Sequence, residues 1–331
     1  MLNKPKKYLD TSELKQPVLM IIIDTEEEFN WSEPFDRRET SVKNIAHQEK
    51  AQKIFAKYGI KPTYVIDYPV ANQAESIQPL KKLYDNGQCD IGAHLHPWVT
   101  PPFTEDVNNY NSFPGNLTYE QEYEKLKILT GTITKNFGFN PTIYKAGRYG
   151  VGKNTTAILK KIGYTIDCSV VPNTDFSQHE GPNFSQKNNC TPYWFAENTI
   201  LEVPLSVDYV GLLSRSGNKL YESIQQNMLI KLKIPGVLSR LGLFERIRLS
   251  PEGHTLNELK RLTLSMINQD YKIFCLTYHS STLMPGASPY VRNTNELDAF
   301  LQTIEQYLQF FNQEINGTFT TLTSLKGTIN V

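Results

Sequence analysis

Four segments of the sequence place an ionisable side chain directly after a short apolar run. These side chains are Asp24, His94, Arg148 and His279. Short apolar runs of this kind are typical of buried strands, and enzymes built as β/α barrels gather their active sites at the C-terminal ends of such strands. A carboxylate, two imidazoles and a guanidinium at one edge would suit hydrolysis by acid–base catalysis. The shared position of the four side chains supports this interpretation more strongly than any single one of these residues does.

A second histidine, His96, follows His94 by two residues and precedes Pro97. Just past the end of a strand the backbone can bend, so both rings could converge on one point. Two imidazoles and a carboxylate that leave positions open for water form a common catalytic site for zinc or a similar divalent ion. The acidic cluster that begins at Asp24 and includes Glu26 offers the candidate carboxylates.

Other polar residues have more ordinary interpretations. Asp24 alone could cap a helix, and Glu27 and Glu28 are typical of a solvated acidic run. Three further histidines occur in polar contexts, and we predict that they lie at the surface: His47, His179 and His254.

The candidate residues need a scaffold, and the sequence supplies one in which strands alternate with amphipathic helices. The predicted strands are Val18–Asp24, Pro62–Ile66, Cys89–Ala93, Thr142–Lys145, Tyr164–Cys168, Lys272–Thr277 and Phe319–Leu322. The predicted helices are Ser41–Tyr58, Ala74–Asn86, Thr118–Phe137, Thr155–Ile162, Thr255–Asn268 and Asn293–Phe311. This alternation predicts βαβ units and a parallel sheet. About seven strands and no GxGxxG motif after the first strand favour an irregular (β/α)7 barrel of the α/β class over a dinucleotide-binding sheet.

We predict one domain, a barrel over residues 18–325, with a polar extension at 1–17 and a tail at 326–331. Residues 211–250 interrupt the rhythm and are predicted to form a helical, locally basic insertion. The insertion either packs on the barrel as an ordinary solvated segment or forms a surface for anionic lipid or phosphate, which would allow peripheral membrane contact.

Composition limits the possible partners. The chain has 34 basic and 34 acidic residues, and this zero net charge removes the simplest argument for nucleic-acid binding. The four cysteines are widely spaced, and no two of them form a CxxC pair. This spacing argues against a zinc knuckle or a thioredoxin-like motif. The first apolar run is too short for a signal peptide or a membrane span, so we expect a cytoplasmic protein.

Taken in order, Asp24-Thr-Glu26, Ile91-Gly-Ala-His94, Arg148-Tyr149 and Tyr278-His279 resemble the motifs of the polysaccharide deacetylases with a NodB-homology domain. The chain looks closest to the divergent WalW-like branch of that family. The resemblance covers about Val18 to Leu325. It implies a (β/α)7 barrel that holds a divalent metal, most often zinc, and removes acetyl groups from N-acetylated sugars.

The resemblance also implies a metal site. Glu26 would stand where the family has a metal-binding Asp, and His94 would match its first metal-binding His. The family's second His lies four residues after the first, where this chain has Trp98, so His96 is the nearby substitute. The implied ligands are therefore Glu26, His94 and His96, with zinc as the implied metal.

The same resemblance implies catalytic and substrate-binding roles. Asp24 would be the catalytic base, Arg148 the residue that orients it, and His279 the general acid. Tyr149 and Trp98 are assigned to substrate binding. The implied substrate is a surface-polysaccharide or glycan precursor.

Two alternatives stay open at this point. The same metal chemistry could hydrolyse a small non-sugar amide, or the chain could be a degenerate member that binds carbohydrate without turning it over.

Overall fold

The computed structural model describes residues 7–196, 198–214, 217–224, 236–238 and 241–328. Lys231 and Lys233 of the predicted insertion, together with Arg215 and Arg240, lie outside the described residues. Within the described residues, no helix is both long and apolar enough to cross a membrane.

Within the described residues, ten strands form the main sheet and two form a separate hairpin. In chain order the strands are β1 (Lys7–Tyr8), β2 (Val18–Thr25), β3 (Thr63–Ile66), β4 (Asp90–Leu95), β5 (Ile143–Ala146), β6 (Ile166–Asp167), β7 (Tyr193–Phe195), β8 (Ile200–Glu202), β9 (Val207–Val210), β10 (Glu245–Arg248), β11 (Ile273–His279) and β12 (Thr318–Phe319). The main sheet runs β1-β7-β8-β6-β5-β4-β3-β2-β11, and β12 also pairs with β2.

Every pairing from β8 through β6 to β11 is parallel, and only β1 and β7 join their neighbours antiparallel. The strand β2 is buried along its whole length, as a strand with helices and loops on both faces should be. The predicted α/β class with a mostly parallel sheet is confirmed.

Single backbone hydrogen bonds span the gap between β11 and the segment after β6. Thr277 N–H donates to the carbonyl of Leu249 at 3.1 Å, and Leu249 N–H donates to the carbonyl of Ser206 at 2.9 Å. Leu205 N–H then donates to the carbonyl of Val170 at 3.0 Å. We call this chain of bonds the seam. The seam links β11 to the segment after β6 by individual backbone hydrogen bonds, without a regular ladder of its own to either one. This arrangement fits the irregular barrel expected from the sequence.

The helices pack outside the sheet. They are α1 (Gln48–Lys57), α2 (Tyr68–Asn72), α3 (Ala74–Asp85), α4 (Tyr119–Phe137), α5 (Thr155–Ile162), α6 (Gly217–Ile224), α7 (Leu256–Ile267), α8 (Thr294–Gln313) and α9 (Leu322–Thr328). Helix α4 begins with a capping box between Thr118 and Gln121 and ends at Gly138, whose φ of 88° gives the left-handed cap that glycine favours. The sequence signals for starts and stops therefore placed this helix closely.

Two predicted elements differ from the structure. The predicted helix over Ser41–Tyr58 begins as a 3₁₀ turn at Lys43–His47 before α1 starts. The predicted helical insertion is wrong at its C-terminal end, because Glu245–Arg248 is the strand β10, paired antiparallel with β9. In a run of only four residues, apolar periodicity does not distinguish a strand from a helix.

A buried carboxyl on α4 makes stability depend on pH. Glu122 has no exposed surface; one of its oxygens accepts a hydrogen bond from the Thr155 hydroxyl, and the other has no partner among the described atoms. Burial, reinforced by the charge of Asp167, raises the pKa of Glu122 to about 8. The folded protein therefore keeps a proton that the unfolded chain releases above its ordinary pKa near 4.5. Stability contributed by this protonation is lost as the pH rises from about 4.5 to 8.

Between pH 5.5 and pH 8.5 the free energy of unfolding should fall less in Glu122→Gln than in the wild type. The two falls should differ by on the order of a few kcal/mol. Glutamine keeps the acceptor for Thr155 and cannot ionise. Urea unfolding at the two pH values measures the difference. Glu120→Gln, an exposed position on the same helix, is the control and should follow the wild type. A Glu122→Gln protein that also followed the wild type would contradict the buried-proton account.

Candidate active site

Three side chains at the ends of β2 and β4, the strands on either side of β3, converge on one point. Nε2 of His94 lies 3.9 Å from Oε2 of Glu26, and Nε2 of His96 lies 3.5 Å from the same oxygen. His94 is the last residue but one of β4 and His96 follows that strand, while Glu26 follows β2, where its backbone N–H donates to the Ser280 hydroxyl at 3.1 Å. All three side chains are buried. The sequence-predicted metal ligands are thus brought together, in an arrangement that could hold a metal ion.

Hydrogen bonds on the far side of each ring fix which nitrogen faces the convergence point. Nδ1 of His94 lies 3.0 Å from the backbone carbonyl of Lys145, and Nδ1 of His96 lies 2.9 Å from Oε2 of Glu27. A carbonyl only accepts, so Nδ1 of His94 carries the hydrogen; the carboxylate of Glu27 demands the same of His96. Burial lowers the pKa of His94 well below its usual range and that of His96 to about 4. Both rings are therefore neutral and present an Nε2 lone pair to the same point.

The backbone is shaped to admit the His96 ring. A Cβ on Gly147 would lie 2.3 Å from the carbonyl oxygen of Leu95 and 2.5 Å from Cδ2 of His96. No side chain larger than hydrogen fits there, so Gly147 is required for the ring to lie where it does.

Glu26 is placed where its own charge is costly. Burial, and then the neighbouring carboxylates of Glu27 and Asp24, raise its pKa well above the usual range. Its Oε1 is buried and has no hydrogen-bond partner among the described residues. A cation bound by this carboxylate would offset its charge, and two imidazoles with one carboxylate are a donor set that zinc accepts. The residues present fit a divalent metal.

Asp24 lies beside this group and is held by Lys145. The Lys145 Nζ lies 2.5 Å from Oδ1 of Asp24, and the lysine is fully buried. Burial alone would raise the pKa of Asp24, but the ammonium of Lys145 outweighs it and brings the pKa to about 2. Asp24 is therefore ionised at every pH near neutrality. We expected Arg148 to hold this carboxylate; instead the Arg148 guanidinium bonds to Oδ1 of Asn109 at 2.9 Å and to the Ser112 hydroxyl.

His279 stands on the other side of Asp24, at the end of β11. Its Nε2 is 3.7 Å from Oδ2 of Asp24, and its Nδ1 is 2.8 Å from Oε2 of Glu252. The other Glu252 oxygen accepts from the His279 backbone N–H at 2.9 Å and from the Thr282 hydroxyl at 2.6 Å. Although burial opposes it, the contact with His279 lowers the pKa of Glu252. An ionised Glu252 keeps the hydrogen on Nδ1 and turns Nε2 toward Asp24.

Glu27 is a correction to the sequence interpretation, which took it for part of a solvated run. It is fully buried, and besides His96 it accepts a hydrogen bond from Nε1 of Trp98 at 2.8 Å. Its backbone N–H donates to Oδ2 of Asp67 at 2.7 Å. Burial raises the pKa of Glu27 to about 7, and burial beside Glu27 raises the pKa of Asp67 well above its usual range. A carboxylate behind a metal-binding imidazole fixes the ring orientation and raises its basicity.

We expect Glu27→Gln to weaken zinc binding by about 10- to 100-fold. The amide offers one acceptor and one donor group, so it cannot accept from both His96 and Trp98. Competition with a chromogenic chelator measures the affinity. Glu28→Gln is the matched control, because the Glu28 carboxylate contacts Ser41 rather than a ring. Equal zinc affinities of the two variants would show that Glu27 does not act on His96.

An aromatic cavity of about 370 Å³ lies over these groups. Trp98 is buried, stacked on His96 and Phe35 at ring-centroid distances of 4.2 Å each. Tyr149 also lines the cavity. It and Arg148 have positive φ angles, 59° and 53°, which are strained for such side chains and recur at functional sites. This backbone turn carries both residues into the cavity wall.

Sequence reasoning missed Lys145, Glu252 and Arg248. Lys145 sits inside a predicted strand, where a lysine usually faces solvent, and only its burial shows its role. Glu252 follows β10, so the rule that found Asp24 would have found it had that segment been recognised as a strand. Arg248 falls within the predicted basic insertion at 211–250, yet it lines the cavity. His179 is exposed, as predicted, and His47 and His254 are partly buried.

No family model matches the chain, and no curated protein sequence matches it. Solved structures do share its fold. A Mycobacterium smegmatis protein assigned as a polysaccharide deacetylase matches with a TM-score of 0.57 and 11% identity, over 98% of this chain and 95% of that one. Puue allantoinase matches with a TM-score of 0.53 and 13% identity, over 98% and 96%. The 4-α-glucanotransferase of Thermococcus litoralis gives 0.53 and 10% identity over 96% of this chain but 41% of its own length. At these identities the comparisons show a common fold.

Proposed function

We propose that this protein is a metal-dependent deacetylase that hydrolyses the N-acetyl amide of a sugar. The observation that carries the proposal is the convergence of Glu26, His94 and His96 on one buried point, with Asp24 and His279 directly beside it. The fold shared with a protein assigned as a polysaccharide deacetylase supports the same substrate class.

Glu26, His94 and His96 would hold the metal. Zinc is the first candidate, since two neutral imidazoles and one carboxylate leave an open position for substrate. A divalent cation here would supply Lewis-acid activation of water and of the acyl carbonyl.

The protein's own groups move the protons. Asp24, ionised and held by Lys145, accepts the proton of the attacking water. His279 directs Nε2 at Asp24 and the cavity, so it can give a proton to the departing amine, which is otherwise a poor leaving group. Glu252 accepts the Nδ1–H of His279 at 2.8 Å and so holds the ring in this orientation. Base and acid thus stand on adjacent strand ends, paired in register at Asp24 and His279.

The aromatic wall suits a sugar. Apolar faces of pyranose rings stack on aromatic side chains, and Trp31, Tyr149, Phe176 and Tyr290 line the cavity. Trp31 also meets the His279 ring edge-on, at a centroid distance of 5.0 Å. A sugar stacked there would lie next to the proposed acid.

The experiment is an acetate-release assay on protein purified without chelator, with its metal content measured. Nucleotide-linked and lipid-linked N-acetyl sugars are supplied, alongside a simple non-sugar acetamide. Release from sugars, abolished by a chelator and restored by zinc, is the expected result. Release from the non-sugar amide alone would indicate a different hydrolase. Sugar binding without any release by metal-loaded protein would indicate a carbohydrate-binding protein.

A further inference from the structure

Two arginine side chains line the cavity that contains the proposed metal ligands. Arg248 ends the strand β10, and its Nη1 donates to the hydroxyl of Tyr149 at 2.9 Å. Arg148 lies on the strained turn next to Tyr149, with its guanidinium 4.0 Å from the ring centroid of Phe113.

Neither arginine forms an ion pair with a carboxylate in the described part of the chain. Their hydrogen-bond partners are the uncharged groups of Tyr149, Asn109 and Ser112. Acidic side chains act on them only without direct contact, Glu180 on Arg148 and Glu252 with Asp24 on Arg248.

The carboxylates nearby already have other partners. Asp24 is paired with Lys145 and Glu252 with His279, while Glu26 belongs to the proposed metal group. Glu33 lines the cavity but is exposed, and Glu180, which is also exposed, accepts a hydrogen bond from Asn109 at 3.0 Å. The cavity wall therefore contains two guanidinium groups that have no ion-pair partner and are available to a ligand.

Guanidinium groups recognise planar and tetrahedral oxyanions through paired N–H donors. The surrounding rings of Phe35, Phe113 and Phe176 exclude water, which strengthens such a contact. A neutral sugar would leave these charges without a counterpart in a partly desolvated wall.

We propose that Arg248, together with Arg148, binds an oxyanion carried by the substrate, so that the substrate is an N-acetylated sugar bearing a carboxylate or a phosphate. This inference rests on the proposed deacetylase function for the acetyl group, but the anion site itself is tested by binding alone.

The test is calorimetric binding of four probes to the zinc-loaded protein: N-acetylglucosamine, its 1-phosphate, its 6-phosphate and its C6 carboxylate. We expect at least one anionic probe to bind tenfold or more tightly than the neutral sugar. Arg248→Gln should remove most of that preference. The preferred probe distinguishes a phosphate from a carboxylate.

Two further variants test whether Arg248 binds the anion itself or only holds Tyr149 in place. Tyr149→Phe removes the hydroxyl that Arg248 contacts and should keep the anion preference. Arg246→Gln, on the same strand and bonded to the Thr174 hydroxyl at 2.7 Å, controls for a general loss of positive charge and should also keep it. The proposal is overturned if no anionic probe is preferred, or if Tyr149→Phe and Arg248→Gln lose the preference equally. Because these are binding measurements, a failure here would not contradict the proposed deacetylase function, which the acetate-release assay tests separately.

Discussion

Asp24→Asn is expected to lower the turnover number by about 100- to 10,000-fold, the range typical of losing a general base. The amide cannot take a proton from water. The metal content of the variant should equal that of the wild type, since Asp24 is not among the three converging ligands. Acetate release and elemental analysis of the same preparation measure both quantities.

This substitution has a structural side effect that must be separated from catalysis. Asparagine leaves the ammonium of Lys145 buried without a counter-charge, which typically costs about 3–5 kcal/mol. The double variant Asp24→Asn/Lys145→Met removes both charges and should recover stability without recovering turnover. Asp36→Asn, at a surface ion pair with Arg38, is the control and should be fully active. Recovery of turnover in the double variant would show that Asp24 serves only the fold.

Glu26→Gln is expected to affect the metal rather than the proton transfer. We expect its zinc affinity to fall by more than the roughly 100-fold that loss of an outer partner causes. Without metal, the variant should unfold at a higher temperature than the wild type, because the wild type buries Glu26 beside the carboxylates of Glu27 and Asp24.

Added zinc should reverse that order, since a ligand that binds only the folded state stabilises it by mass action. Thermal unfolding with and without zinc therefore gives a signature independent of activity. The opposite pattern, in which Asp24→Asn loses the metal and Glu26→Gln keeps it, would exchange the roles that we assign to the two residues.

The sequence was most informative at positions where a polar residue has few structural roles other than a place in the active site. Polar residues at the ends of apolar runs predicted the edge at which Asp24, His94 and His279 meet, because parallel strands end at a common edge. The pair His94 and His96 predicted convergence with a carboxylate, and their Nε2 atoms do face Glu26.

What the sequence could not supply were the partners that fix these groups. Glu27 lies in a run of acidic residues that is typical of solvent exposure, and nothing local marks it as the acceptor for His96. Lys145 and Arg148 are three residues apart, and it is Lys145 that reaches Asp24, while Arg148 lies on a turn with positive φ angles at Arg148 and Tyr149. Such angles are rare for these residue types, so sequence patterns do not predict them.

The seam has a consequence for how this barrel can vary. A strand in a ladder is held in register along its length, so a change of one residue moves every side chain to the other face. The bond between Leu249 and Ser206 continues the β9–β10 hairpin, and Leu249 is joined to β11 by the single bond from Thr277. The chain between Ser206 and Leu249 leaves the sheet as this hairpin and returns. Its length can therefore change at little entropic cost and without shifting β2, β4 or β11. Because Arg248 stands at the point of return, ligand preference can be remodelled in this barrel while the hydrolytic centre keeps its geometry.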